Sequence, residues 1–301
     1  MNEAILVGQA FNGLSTASIL LLMALGLAVI FGLMGVINMA HGELMTAGAY
    51  TAYMAQGVVS HFAPHAGGWA YLLALPASFL VAALLGLAIE WLLVRHLYGR
   101  PLETLLATWG LSLFLQQSYR NIFGSNNVYV HTPAWLTGGL AVHGAQFPYV
   151  RLFILALVSI TLLAVFLFLY RTRTGLQIRS VMQNRSMASC CGVPTRRIDA
   201  LTFAFGSGLA GLAGCALALI GSIGPSTGQY YIVNAFMVVV LGGVGRLLGA
   251  VAGAAVIGEM HAFIEYWSSA SAATVAVFTL IILFLQMRPG GLFPTSSRAL
   301  D

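Results

Sequence analysis

Residues 31–48 read FGLMGVINMAHGELMTAG and place three hydrogen-bonding side chains, Asn38, His41 and Glu43, between two long apolar runs. An ionised glutamate at the centre of a bilayer costs about 2.5 to 3.5 kcal/mol on insertion scales. Such a side chain is expected to face a cavity, a helix N-terminus or a hydrogen-bond partner. The glycines of this stretch predict that a helix is interrupted here inside a membrane.

Two interpretations of the three polar residues remain open. Asn38 can cap a helix that starts near His41, and Glu43 in its first turn would then be stabilised by the helix dipole. Alternatively, the three side chains line the path of a polar solute. The two interpretations do not exclude each other.

The composition of the whole chain is that of an integral membrane protein. Of its 301 residues, 59% are hydrophobic and 7% are charged, whereas about a quarter are charged in a soluble domain. Apolar runs of membrane-spanning length recur from one end to the other and leave no segment for a separate globular unit. The sequence therefore predicts one transmembrane domain over residues 1–301.

The apolar runs predict an all-α polytopic fold with about 8 to 10 transmembrane or half-membrane helices. The expected spans are 14–34, 44–59, 69–94, 104–122, 152–170, 200–221, 232–241, 247–264 and 272–287. The segment 232–241 is too short to cross ~30 Å of hydrocarbon at ~1.5 Å per residue. It is predicted to be half a crossing.

The arginines predict the orientation. All 13 basic residues are arginines, and six of them lie in the connection 171–197, whereas 124–150 carries no charge. Because arginine is enriched in cytoplasmic loops, 171–197 is expected inside and 123–150 outside. The turn residues and the alternating residues 128–132 of 123–150 predict an external loop with a short hairpin. Because this clustering follows the charge asymmetry of membrane loops, the net positive charge does not by itself indicate a nucleic acid or anionic-lipid partner. Nucleic acid is not expected as a partner, and membrane lipid is expected as the surroundings of the chain.

Small residues recur four positions apart in the second half of the chain. The glycines of these stripes are Gly206 and Gly214, then Gly245, Gly249 and Gly253. Such stripes allow helix backbones to approach closely, and packing within one chain is favoured over a subunit interface. The Gly-rich residues 241–258 also resemble the stretch around 31–48 in pattern, because each is a Gly-rich interruption followed by a helix of small residues. Paired broken helices of this kind predict an internal pseudo-repeat around a transport site.

The sequence lacks the motifs of several catalytic, metal-binding and nucleotide-binding sites. The H-G-E of residues 41–43 matches the start of the zinc deaminase signature, but P-C-x-x-C is missing, and no metal site or catalytic residue is expected. The nucleotide-binding pattern G-x-x-x-x-G-K-[ST] is also missing. The chain is therefore expected to contain no ATPase site and no cofactor of its own. Cys190, Cys191 and Cys215 are expected to be reduced thiols.

Two longer motifs resemble a known family. Residues 35–50, GVINMAHGELMTAGAY, and 185–214, RSMASCCGVPTRRIDALTFAFGSGLAGLAG, are similar to the membrane permease subunits of ABC importers for branched-chain amino acids and their relatives. Within that family, residues 127–139 and 224–245 resemble the urea-type permeases most. Asn234 departs from the urea-type pattern, in which an acidic residue is common at this position.

The resemblance implies a multi-pass subunit of the bacterial inner membrane that works with a second homologous permease, two cytoplasmic ATPases that bind the ATP, and an external solute-binding protein. The import of urea by alternating access is the leading expectation, and the import of branched-chain amino acids or short amides is the alternative. A passive urea or ammonium channel, a protein of another class, would need no ATPase docking.

The resemblance also implies roles for particular residues. The expected substrate pathway consists of Asn38, His41, Glu43, Gln229 and Asn234. From its amphipathic pattern alone, the segment 171–197 predicts a short helix closed by Gly192 and Pro194, either docked on a partner or lying on the membrane. The resemblance favours docking and makes 182–192 the ATPase-coupling helix. The expected coupling residues are Arg179, Met182, Arg185, Met187, Ala188 and Gly192.

Overall fold

The computed structural model of the protein describes residues 3–62, 67–142 and 145–293, which form a helical bundle. The helices are α1 (Glu3–Met34), α2 (His41–Phe62), α3 (Gly67–Leu92), α4 (Pro101–Phe123), α5 (Tyr149–Arg171), α6 (Arg173–Gln183), α7 (Arg185–Cys190), α8 (Thr195–Leu217), α9 (Thr227–Gly242), α10 (Leu247–Trp267) and α11 (Ala270–Met287). Short 3-10 helices lie at Val94–His96 and Ala134–Leu136.

The predicted all-α polytopic membrane fold is confirmed. In the described part of the chain, six helices are long and apolar enough to cross a membrane, namely α1, α3, α5, α8, α10 and α11. α2 and α4 have 22 and 23 residues but are more polar. α9 has 16 residues and is about 24 Å long, so it is longer than the predicted segment 232–241.

α1 lies at the centre of the bundle. It packs against α8, α9 and α10 and also touches α5, and its residues Ala24, Leu25, Leu27 and Ile30 are fully buried. α8, which contacts α1, also packs against α2 and α3. This arrangement surrounds the interrupted segment that follows α1 with other helices.

Glycines let these helices approach closely. A Cβ atom on Gly206 would lie 2.6 Å from Ile30 Cγ1 of α1, and one on Gly214 would overlap the backbone of α2. Gly249 and Gly253 face the backbone of α9 in the same way. Gly245 differs from the expected helical stripe, because it lies in the turn before α10 with φ 87°.

The segment 123–150 contains a hairpin, as the sequence predicts. Strands β1 (Gly139–Val142) and β2 (Ala145–Pro148) pair in antiparallel register, with Leu140 opposite Phe147. The alternating residues 128–132 are not part of it, and Val128 bridges to Ile223 in the α8–α9 connection. Residues 143–144 of the predicted external loop lie outside the described residues. The predicted span 200–221 is also corrected, since α8 ends at Leu217.

Candidate functional site

The interruption between α1 and α2 is held in place by hydrogen bonds to its backbone. Asn38 Oδ1 accepts a hydrogen bond from the N–H of Ala40 at 3.0 Å. The N–H of Met39 donates to Thr108 Oγ1 of α4 at 3.1 Å. The Asn38 side chain thus lies where a residue that caps the start of α2 is expected.

α2 begins inside the bundle and not at its surface. A Cβ atom on Gly26 of α1 would lie 2.9 Å from His41 Cε1. Gly26 precedes Met34, the last residue of α1, by eight residues, which is about 12 Å along a helix. The first turn of α2 therefore lies well inside the membrane-spanning part of the molecule.

Glu43 is the centre of a buried polar cluster. Its Oε1 accepts hydrogen bonds from Ser112 Oγ at 3.2 Å and from Gln116 Nε2 at 3.0 Å. Gln116 Nε2 also lies 3.3 Å from Gln229 Oε1 of α9, and the Tyr119 hydroxyl donates to the Glu43 carbonyl oxygen at 2.9 Å. Glu43 is 1% exposed, and its Oε2 has no hydrogen-bond partner among the described residues. That oxygen is available to a donor on a bound molecule.

α4 contributes to this cluster through a polar face that the sequence analysis missed. The buried side chains of α4 are Thr104, Thr108, Ser112, Gln116 and Tyr119. The first four are spaced four residues apart, which places them on one side of a helix. Large apolar side chains such as Leu106 and Phe114 are exposed on α4. The four-residue spacing of polar residues in an apolar segment was the available signal.

The first turns of α2 and α9 meet beside the cluster. A side chain on Gly42 would overlap the backbone of Gly228, and a side chain on Gly228 would overlap that of Gly42. The N–H of Gly228 donates to Thr46 Oγ1 at 2.9 Å. Helix N-termini carry partial positive charge. The site therefore places two positive helix ends near the carboxylate of Glu43.

The structure does not bring all five predicted pathway residues together. Glu43 and Gln229 meet through Gln116, whereas His41 is buried against α1, α8 and α9. Asn234 lines a separate cavity of about 240 Å³ that also contains His261. Asn234 follows Gln229 by five residues, and on a helix this turns it about 140° away. Asn234 therefore lies apart from the Glu43 cluster, and its place in the substrate pathway stays a prediction.

The segment 171–197 contains two short helices, α6 and α7, where the sequence predicts a single one. α6 ends at Gln183, and Asn184 adopts an extended conformation with φ −158° and ψ 102°. Its side chain accepts from the N–H of Met187 at 2.9 Å and so caps α7. Gly192, with φ 81°, follows α7 and reverses the chain.

The predicted coupling residues occupy different environments. Met187 on α7 is 64% exposed, whereas its neighbour Ala188 is buried. Met182 is partly exposed and lies close to Gly245. The Arg179 guanidinium lies 4.7 Å from the ring centroid of Tyr170. Met187 is therefore the one of these side chains that projects most freely from the bundle.

Arg185 connects α7 to α8. Its Nη2 lies 2.5 Å from Asp199 Oδ2, and its guanidinium lies 4.9 Å from the ring centroid of Tyr98. The Asp199 side chain is only 4% exposed. Burial, and secondly the Asp199 carboxylate, raise the pKa of Tyr98, so its hydroxyl stays protonated and lies 3.4 Å from Glu90 Oε1. Arg185 is thus a structural connection between the short helix and the bundle.

The fold and the site define a class: a multi-pass membrane permease in which interrupted helices enclose a polar cluster. The family described as "Branched-chain amino acid transport system / permease component" matches residues 9–287. The chain belongs to this family.

Curated relatives share nearly the whole length of the chain. The high-affinity branched-chain amino acid transport system permease protein BraD of Pseudomonas aeruginosa is 31% identical over 289 residues, which are 94% of each chain. The corresponding LivH of Escherichia coli is 30% identical over 293 residues, again 94% of each. The probable LivH of Methanocaldococcus jannaschii is 28% identical and covers 86% of this chain and 81% of its own. No solved structure is significantly similar.

These comparisons confirm the predicted family and the membrane location. The chain is a permease subunit of an ABC importer and spans the inner membrane several times. It is a transport subunit and not an enzyme, because the ATPase of such importers is in separate subunits. ATPases and a solute-binding protein are its general partners. The urea-type expectation finds no support, since these relatives are named for branched-chain amino acids.

Proposed function

We propose that the chain is a permease subunit of an ATP-driven importer that carries branched-chain amino acids across the inner membrane by alternating access. The family match over residues 9–287 carries this proposal. In the assembly that we propose, a second homologous permease pairs with this chain and two cytoplasmic ATPases bind the ATP. An external solute-binding protein delivers the substrate, and this chain binds no cofactor.

The chemistry of the Glu43 cluster supports an amino acid as the solute. An amino acid carries an ammonium group and a carboxylate. The unpartnered Glu43 Oε2 is an acceptor for the ammonium group. The N-terminal turns of α2 and α9, which meet at Gly42 and Gly228, favour the carboxylate. Urea is neutral: its N–H groups would also donate to Glu43 Oε2, but it carries no carboxylate for the two helix N-termini.

Substrate passage requires the cluster to open. Glu43 is buried, and α4 covers it with Ser112 and Gln116. Among the described helices, α4 makes its main helix contact with α2. We infer that displacement of α4 from α2 exposes Glu43 on one side of the membrane, as rigid-body rocking does in transporters.

A direct structural route connects the cytoplasmic side to the site. α7 is bound to α8 through Arg185 and Asp199. α8 then packs closely on α2, since a side chain on Gly214 would overlap the backbone of Met45 and one on Gly48 would overlap the backbone of Gly211. We propose that ATPase docking on the exposed side of α7, around Met187, moves α8 and α2 as one unit.

The proposal is tested with the complete importer in proteoliposomes. Uptake of radiolabelled leucine should require ATP and the binding protein, and unlabelled isoleucine and valine should compete with it. Excess urea should have no effect. Residues 127–139 and 224–245 make urea the second candidate, so ATP-dependent uptake of labelled urea without leucine uptake would reject the amino acid proposal. Urea uptake that persists without ATP would support a passive channel.

A further inference from the structure

A groove opens between α5 and α10. It has a volume of about 590 Å³. α5 contributes Leu162, Leu163 and Phe166 to its walls, and α10 contributes Leu248 and Val251. Leu163 is 58% exposed and Leu248 is 76% exposed. The groove is therefore apolar and accessible from the side of the bundle that faces lipid.

The groove is about as deep as one leaflet of a bilayer. Along α5 it extends from Tyr170, next to the last residue of the helix, back to Ser159. The eleven helical steps between these two residues correspond to about 16 Å of helix. The hydrocarbon core of a bilayer is about 30 Å thick, so one leaflet contributes about 15 Å. An acyl chain that enters at the headgroup level would end near Ser159.

The mouth of the groove lies at the cytoplasmic end. Gly245 lines it, and Met182 of the arginine-rich segment lies next to Gly245. Of the 13 arginines, 12 lie among the described residues. Ten of these lie at this end of the bundle, and two, Arg120 and Arg151, lie at the other. The charge asymmetry that orients membrane proteins assigns this end to the cytoplasm.

Positive charge lines the mouth. Arg246 is exposed there. A second cavity of about 350 Å³ shares Tyr170, Gly245 and Leu247 with the groove and is lined by Arg179. Arg179 Nε is buried and has no hydrogen-bond partner among the described residues. No acidic residue is among the described residues that line either cavity.

We propose that this groove binds an anionic glycerophospholipid of the cytoplasmic leaflet. Its phosphate lies between Arg246 and Arg179, where charge-assisted hydrogen bonds satisfy the buried Nε atom. One acyl chain fills the apolar groove between α5 and α10. An amphiphile matches both halves of the site, since a soluble anion leaves the groove empty and a neutral lipid leaves the arginines unpaired.

The headgroup is tested by native mass spectrometry of the purified full-length chain in detergent. Phosphatidylglycerol and phosphatidylcholine with the same acyl chains are titrated separately. The wild-type protein should retain more phosphatidylglycerol. Arg246→Gln should lower that retention about fivefold, the factor expected for one arginine near an anionic headgroup, and should leave phosphatidylcholine unchanged. Arg288→Gln, at the same end but outside the groove, is the matched control.

Binding of an acyl chain in the groove is tested by a variant whose larger side chain occupies the groove. Leu248→Trp should reduce retention of both lipids, whereas Leu106→Trp on the exposed side of α4 should not. Unfolding temperature and size-exclusion profile confirm that each variant is folded. Wild-type retention of phosphatidylglycerol by Arg246→Gln would overturn the headgroup assignment. If Leu248→Trp retains lipid but no longer copurifies with a partner permease, the groove is a protein interface and the proposal is wrong.

Discussion

Gly42 and Gly228 face each other where α2 and α9 begin, and neither position has space for a side chain. This contact determines how closely the two helix ends approach. It also keeps Glu43 and Gln229 within reach of the single amide of Gln116.

Gly42→Ala should destabilise the protein, because its methyl group would overlap the backbone of Gly228. Overpacking of this kind costs about 1 to 3 kcal/mol or more. We expect a lower unfolding temperature in detergent and less folded protein in membranes. Gly110→Ala on α4 is the matched control, since a Cβ atom there meets nothing within 4 Å. Equal unfolding temperatures for the two variants would contradict the close contact.

Glu43→Gln should lower leucine uptake about tenfold or more, because it removes a charged partner that contributes about 1.5 to 3 kcal/mol. The variant keeps the shape of the side chain and an oxygen that can accept from Gln116. Its abundance in membranes should therefore match the wild type. Initial uptake rates and immunoblots measure the two quantities.

Glu103→Gln is the control for this experiment. Glu103 is exposed and pairs with Arg100 at 3.0 Å, away from the cluster. Its change should leave uptake unaltered. If Glu43→Gln lowers abundance and uptake in parallel, the cluster has a structural role and does not bind substrate.

Arg185→Gln should destabilise the protein by about 1 to 3 kcal/mol, since it leaves the buried carboxylate of Asp199 without its cation. The double variant Arg185→Gln/Asp199→Asn should recover part of that loss, because no buried charge remains. Chemical unfolding in mixed micelles measures the cycle. Additive losses from the two single changes would show that the pair does not interact.

Met187→Asp should reduce copurification of the ATPases while the unfolding temperature of the chain stays near the wild-type value. The side chain is 64% exposed on α7 and contributes little to packing within the chain. Met287→Asp provides the comparison, because this methionine is also exposed but lies at the end of α11. Retention of the ATPases by Met187→Asp would exclude this part of α7 from the docking surface.

The long helices could be predicted from the sequence because a bilayer requires apolar segments of a certain length. The expected segment 104–122, for example, became α4 at Pro101–Phe123. The polar residues inside that segment make it less apolar than the other long helices. In the structure, Ser112 and Gln116 turn inward and complete the Glu43 site, whereas Gln117 is exposed.

Which side chains meet in the site was harder to predict, because it depends on the orientation of each helix about its own axis. Gln229 and Asn234 lie five residues apart on one helix, yet α9 directs one to Gln116 and the other to the cavity with His261. The division of the segment 171–197 into two helices depends on one capping residue, Asn184. The urea-type resemblance rested on short segments, whereas the family match spans residues 9–287.

The polar faces of α2 and α4 also affect the biosynthesis of the protein. Neither helix is among the six that are apolar enough to enter a membrane by composition alone, and Glu43 adds to the cost of insertion for α2. We therefore expect these two segments to partition into lipid together with their more apolar neighbours, so that the residues that make the interior hydrophilic also couple the insertion of adjacent helices.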